Sequence, residues 1–124
     1  MKKYNDRLFA LLREYFTVFM PIQKKSSPHT ILAAKQVWNM LLSFICAKTG
    51  NRVEALSLDD FSRDTVLHFL GETQRSKGWA PATRNQRLAR IRSFFRYVAD
   101  IESTFAIYFE KLIGIPLQKD VKGS

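Results

Sequence analysis

Cys46 is the only cysteine in 124 residues, so the chain can form no internal disulfide and its fold depends on packing. It sits in the apolar run Leu41-Leu42-Ser43-Phe44-Ile45-Cys46, the setting of a buried structural thiol, and this usage suits a cytoplasmic protein. Histidine is represented by His29 and His68 alone. Neither has a Cys, Asp or Glu at metal-ligand spacing on its helical face, and His68 reads as a packed histidine beside the inward row of its helix. A glycine-rich phosphate loop and a Gly-x-Ser-x-Gly elbow are both missing. Asp59 and Asp60 are adjacent, so on a helix their side chains diverge by about 100°, which suits a helix start better than a metal pair. The expectation is therefore a chain with no catalytic residue, no metal, no cofactor and no small-molecule substrate. No apolar run approaches the ~20 residues of a spanning helix, and Arg13 and Glu14 interrupt the region where a signal peptide would be apolar. A membrane partner is not expected.

Acidic residues are also few. Against 11 Asp and Glu stand 20 Lys and Arg, a formal net charge of +9 with a pI near 10.0. That balance is the footprint of a polyanionic partner. A hydrophobic fraction of 46% with 10 Phe is ample for one core, and the length fits one domain.

Strand patterns, internal repeats and low-complexity tracts are absent, and the chain reads as all-α, a compact bundle of four to five helices. The first helix is expected over residues 5–20, with Leu8, Leu12, Tyr15, Phe16 and Phe19 as its buried stripe and Pro21 ending it. A second follows over residues 28–48 with Ser27 as N-cap and Pro28 in its first turn, closed by Gly50 and Asn51. Ser57 and Ser62 are two further N-cap candidates, the latter opening a third helix that holds Val66, Leu67, Phe69 and Leu70 inward and ends at Gly78. A fourth helix covers residues 80–99. A fifth, over residues 103–113, carries Phe105, Tyr108, Phe109, Leu112 and Ile113 on its apolar side, where core packing accounts for Tyr108 as it does for Tyr15. Residues 1–116 form the expected domain and residues 117–124 a polar linker.

The fourth helix is the most informative. Leu88, Ile91, Phe95 and Val98 recur at three- and four-residue intervals and share one face. Arg84, Arg87, Arg90, Arg92 and Arg96 are interleaved with them, and no acidic residue intervenes before Asp100. Thr83, Arg87 and Arg90 fall on one flank, Asn85, Arg92 and Arg96 on the other, and Gln86 and Ser93 point outward.

Three runs carry a resemblance: Ser27-x-His29-Thr30 opening a long helix, Leu58-x-Asp60-Phe61 before the next, and Gly78-Trp79-Ala80-Pro81-Ala82-Thr83-Arg84-Asn85-x-Arg87-Leu88-Ala89-x-Ile91-Arg92-Ser93-Phe94-Phe95-x-Tyr97. Together they resemble the N-terminal core-binding (SAM-like) domain of the tyrosine recombinase, or phage integrase, family, in the manner of mobile-element recombinases and transposases. The resemblance covers roughly residues 5 to 120 and implies a helical domain that arches over one side of duplex DNA, opposite a catalytic domain. The family's Arg, Lys, His-x-x-Arg pair and nucleophilic Tyr are not supplied here: Leu32 follows His29 at the third position and Gly71 follows His68, while Tyr4, Tyr15, Tyr97 and Tyr108 lack the nucleophile's context. The resemblance thus implies a truncated recombinase or an excised domain, whose partners are double-stranded DNA, its own catalytic domain and neighbouring protomers.

The expected DNA contacts form two groups. Thr83, Arg84, Gln86, Arg87 and Arg90 belong to the arginine helix; Lys24, Lys25, Ser27, His29, Thr30, Lys35 and Gln36 surround the start of the second, to which the resemblance assigns a similar role. Each group has structural alternatives. Thr83 also suits a helix cap, Arg84 projects inward enough to lie over apolar surface, and Arg92 and Arg96 are within reach of Asp100 or Glu102. Lys24 and Lys25 also suit a basic loop without fixed contacts. Two rival functions stay open, a stand-alone helical DNA-binding regulator and a helical protein-interaction module.

Overall fold

The computed structural model describes residues 7–119; the expected helix start at residue 5, Tyr4, and residues 120–124 of the expected linker lie outside them. The described residues contain helices α1 (Leu8–Glu14), α2 (Pro28–Thr49), α3 (Arg63–Lys77), α4 (Pro81–Ile101), α5 (Ser103–Tyr108) and α6 (Glu110–Ile113), and no strand. A π-helix, Tyr15–Gln23, continues α1, and two short 3₁₀ turns, Val53–Ala55 and Leu58–Asp60, bridge α2 and α3.

Local chemistry sets most of these limits. The Ser27 hydroxyl accepts the Thr30 N–H at 3.1 Å and Ser62 accepts that of Thr65 at 3.1 Å, so α2 and α3 each satisfy one orphan donor of the first turn. Gly50 and Gly78 end the same two helices at φ of 72° and 67°, a left-handed conformation that costs a glycine little. Ser57 and Asp60 form a capping box, with Asp60 accepting the Ser57 N–H at 2.8 Å, which gives this carboxylate the helix-start role its position suggests.

Pro21 does not end the first helix as its sequence position suggests. The ring would clash with the carbonyl four residues back in an α-helix, and the chain instead widens. Lys24 N–H reaches the Phe19 carbonyl at 2.7 Å, five residues away, and Ser26 N–H that of Met20 at 2.7 Å. The wider turn stacks Phe19 on Tyr15, with centroids 5.5 Å apart, and keeps both against the core.

α4 runs through the middle of that core. Leu88, Ile91, Phe94, Phe95 and Val98 are fully buried. Phe94 meets Tyr15 at 5.3 Å and Trp38 of α2 at 4.8 Å, while Phe95 meets Phe61 at 5.6 Å and Phe109 at 4.5 Å. Tyr97 donates its O–H to Glu14 at 2.9 Å, and burial together with that carboxylate pushes the phenol up to about 12. α2, 22 residues with a mean hydropathy of 1.3 over its most apolar window, does reach the length and composition of a membrane span, contrary to the sequence expectation. One face, Ala34, Val37, Trp38, Leu41 and Ile45, lies in the core, and the other presents Lys35, Gln36, Asn39 and Ser43.

Four further expectations change. The fifth helix is broken at Phe109 into α5 and α6, which buries Phe105, Phe109, Leu112 and Ile115 together against the rest of the core. Tyr108 is exposed, its O–H donating to Asp59 at 3.3 Å, because the stripe that faces α4 consists of the residues flanking it. His68 is exposed as well, since the buried row of α3 is Val66, Phe69 and Leu70. Cys46 is half-buried at the edge of the core.

Phe109 is buried and packed ring to ring on Phe95. Phe109→Ala should cost about 3–5 kcal/mol in urea unfolding, the range for truncating a buried Phe. An unchanged midpoint would mean that α5 and α6 are not part of the cooperative core.

Candidate nucleic-acid interface

α4 starts without a side-chain cap: Ala80 is its N-cap and Pro81 occupies the first turn. What holds this start is Trp79, whose N–H donates to the Gln74 carbonyl at 3.0 Å and whose carbonyl accepts from Gln74 Nε2 at 3.3 Å. The indole then fixes a cation. The Arg87 guanidinium lies over it, 5.4 Å from the ring centroid, and donates from Nη1 to Gln86 Oε1 at 3.2 Å.

One turn on, Arg90 is half-buried beside Arg87, and its Nη1 is enclosed with no acceptor among the described residues. Desolvation, then repulsion from Arg87, lowers its pKa from the ordinary guanidinium value; an arginine nevertheless keeps its proton, so the charge is held there at a cost that an anion would offset. Gln86 is exposed, with Ala82 and Ala89 on the same outward ridge. Thr83 is half-buried in the first turn and makes no cap bond.

The remaining arginines point elsewhere. Arg84 is only 7% exposed and donates from Nη1 to the Pro116 carbonyl at 3.1 Å and to Asn85 Oδ1 at 3.1 Å, which settles its inward orientation. Arg92 donates to the Ile115 carbonyl at 2.8 Å. Desolvation lowers the pKa of both, with Arg96 adding repulsion at Arg92. Arg96 itself is exposed. Among the described residues no α4 arginine forms an ion pair; Glu102, one expected partner, is engaged by Arg7 at 3.0 Å.

Around the start of α2 every expected residue is exposed: Lys24, Lys25, Ser27, His29, Thr30, Lys35 and Gln36. Ser27 and Thr30 are joined, hydroxyl to hydroxyl at 3.0 Å, and are occupied in capping. Lys25 holds a left-handed φ of 55°, unusual for a residue with a Cβ, and so gives the basic loop a defined shape. Lys35 Nζ lies over the Phe16 ring at 5.9 Å, whereas His29 and Gln36 share the outward face with exposed Leu32 between them. No hydrogen bond or ion pair among the described residues links this group to the α4 group; the two helices meet instead in the core, where Trp38 packs on Phe94.

Sequence reasoning missed the part played by Trp79, although an aromatic residue eight positions before an arginine across a helix start was the available signal. It missed Leu32 too, readable as an apolar residue on a polar face. No group of three or more His, Cys, Asp or Glu among the described residues is arranged to hold a metal ion.

Comparison with known proteins places this geometry in a context. The chain is 32% identical over 112 residues to y4rD of Sinorhizobium fredii, provisionally described as an integrase/recombinase, which spans 90% of this chain and 40% of that protein. A second such protein of the same organism, y4rC, is 27% identical over 112 residues, 90% of this chain and 34% of its own length. Tyrosine recombinase XerC of Pelotomaculum thermopropionicum is 31% identical over 103 residues, 82% of this chain and 30% of that protein. The chain therefore spans about a third of the length of the curated relatives it matches. No protein-family profile matches it, and no solved structure does.

The split among the arginines has a measurable consequence. Arg84→Ala removes a buried side chain together with its hydrogen bonds to Pro116 and Asn85 and should lower stability by about 1–3 kcal/mol, whereas exposed Arg96→Ala should stay within about 0.5 kcal/mol of the parent. Urea denaturation checks both, and equal effects would contradict the inward assignment of Arg84.

Proposed function

We propose that this chain, a relative of the tyrosine recombinases and integrases over four fifths or more of its length, is a DNA-binding module that grips duplex DNA at a recombination site. The observation that carries the reading is the pair Arg87 and Arg90. One is positioned by Trp79, the other has an enclosed Nη1 without an acceptor, and neither has a carboxylate partner among the described residues. Phosphate groups offset such uncompensated positive charge, and the uncapped start of α4 adds backbone N–H groups and a helix dipole of the same sign.

Ala82 and Ala89 flank Gln86 with small side chains, so the outer ridge of α4 can approach a groove closely enough for the carboxamide to meet a base edge. Lys24, Lys25, His29, Lys35 and Gln36 supply a second, exposed basic and polar surface at the start of α2. Ser27 and Thr30 contribute by shaping that start, and Arg84 by bracing α4 from within. The module supplies grip and orientation, and strand cleavage belongs to other parts of a recombinase. A protein-docking role has one observation in its favour, the exposure of Ile107 (76%) and Tyr108 on α5.

With about four to six phosphates neutralised, log affinity for duplex DNA should fall with log salt at a slope of roughly −4 to −5. A flat anisotropy titration would remove the DNA reading in favour of docking through α5. Arg90→Ala should weaken binding to specific and random duplexes alike, whereas Gln86→Ala should chiefly erode discrimination, by ~1–3 kcal/mol. Equal losses on both duplexes for Gln86→Ala would show that this side chain does not read sequence.

A further inference from the structure

Residues 114–119, which follow α6, have no regular structure, yet residues 115, 116 and 118 are tied to α3 and α4. Asn85 Oδ1 accepts the Gln118 N–H at 2.8 Å while its Nδ2 donates to the Gln118 carbonyl at 2.8 Å. One carboxamide thus answers both backbone groups of a single residue, as a neighbouring strand would. Gln74 of α3 pairs with the Gln118 side chain in both directions, at 2.9 and 3.3 Å. Arg84 holds the Pro116 carbonyl and Arg92 the Ile115 carbonyl, and Ile115 is itself fully buried.

Residues 116–118 are exposed, so water is at hand for these backbone groups and their solvation needs no protein partner. Three side chains from two helices, Gln74, Arg84 and Asn85, nevertheless converge on them, Arg92 holds the carbonyl of Ile115 just before, and the two arginines are thereby withdrawn from the basic surface. We propose that Asn85, supported by Gln74, Arg84 and Arg92, is a positioning residue that straps residues 115–118 along the α3–α4 side of the bundle and so fixes the direction in which the chain leaves it. The consequence for function rests on the DNA-binding reading. Asn85 immediately precedes Gln86 and Arg87, so the strap ties the outgoing chain to the helix that grips DNA, and whatever follows is oriented with respect to the bound duplex.

Amide hydrogen exchange by NMR on the 124-residue chain without DNA tests the strap apart from the DNA reading, which the salt titration addresses separately. The Gln118 amide should be protected, and Asn85→Ala should accelerate its exchange by about tenfold or more while the Ile91 and Phe95 amides stay as slow as before. Asn85→Asp keeps the acceptor and loses the donor, so it should retain part of the protection. Gln118→Ala should retain most of it, because the Asn85 bonds are to backbone. A Gln118 amide exchanging at the unprotected rate in the parent chain, or unaffected by Asn85→Ala, would overturn the proposal. Loss of Gln118 protection on adding duplex DNA would overturn it too, since Asn85 would then be a DNA contact in competition with the strap.

Discussion

Phe94 and Phe95 are adjacent on α4, and neighbouring helical residues diverge by about 100°. The two rings therefore lead into different parts of the core. Phe94 joins Tyr15 and Trp38, and with them the π-helix and α2; Phe95 joins Phe61 and Phe109, and with them the 3₁₀ turns and the final helices. Trp38 touches both rings, at 4.8 and 5.7 Å, and closes the cluster. Each contact is worth little beyond the area it buries, but together they make α4 the element against which the others are placed.

That burial decides what the arginines of α4 can do. A helix packed on several sides has a narrow outward ridge, and five guanidinium groups cannot all reach water from it. Arg84 and Arg92 turn inward onto carbonyls of the chain that follows α6, Arg87 lies on Trp79, and Arg96 extends outward. Arg90 is caught between these solutions, half-buried with an enclosed nitrogen that has no acceptor among the described residues. A partly desolvated cation without a nearby counter-charge is costly, a cost that a bound anion would offset. The electrostatic case for a polyanionic partner is thus local as well as global.

The π-helix has a comparable logic. Continuing α1 through Pro21 in ordinary geometry would clash with the carbonyl four residues back. Widening the turn keeps Met20 buried and Phe19 stacked on Tyr15, then delivers Lys24 and Lys25 to the loop ahead of α2. The break at Phe109 follows the same principle, since the bend lets Phe105, Phe109, Leu112 and Ile115 share one core.

Helix existence and most helix ends were legible in the residues themselves. Ser27, Ser62, Gly50 and Gly78 act through hydrogen bonds and backbone conformations a few positions away, and such local chemistry is the same in any fold. The apolar stripe of α4 was legible for a related reason, because its spacing alone puts Leu88, Ile91, Phe95 and Val98 on one face. Contacts between distant segments were not. That Pro21 would be absorbed, that Tyr108 and His68 would face solvent, and that Arg84 would be spent on Pro116 depend on which surfaces meet, and periodicity carries no information about that. The candidate site divides along the same line. The sequence by itself determined an excess of arginine on one helix with no acid among them. Only the tertiary structure decided which of those cations turn inward, because carbonyls 32 and 23 residues further along the chain come to lie beside Arg84 and Arg92.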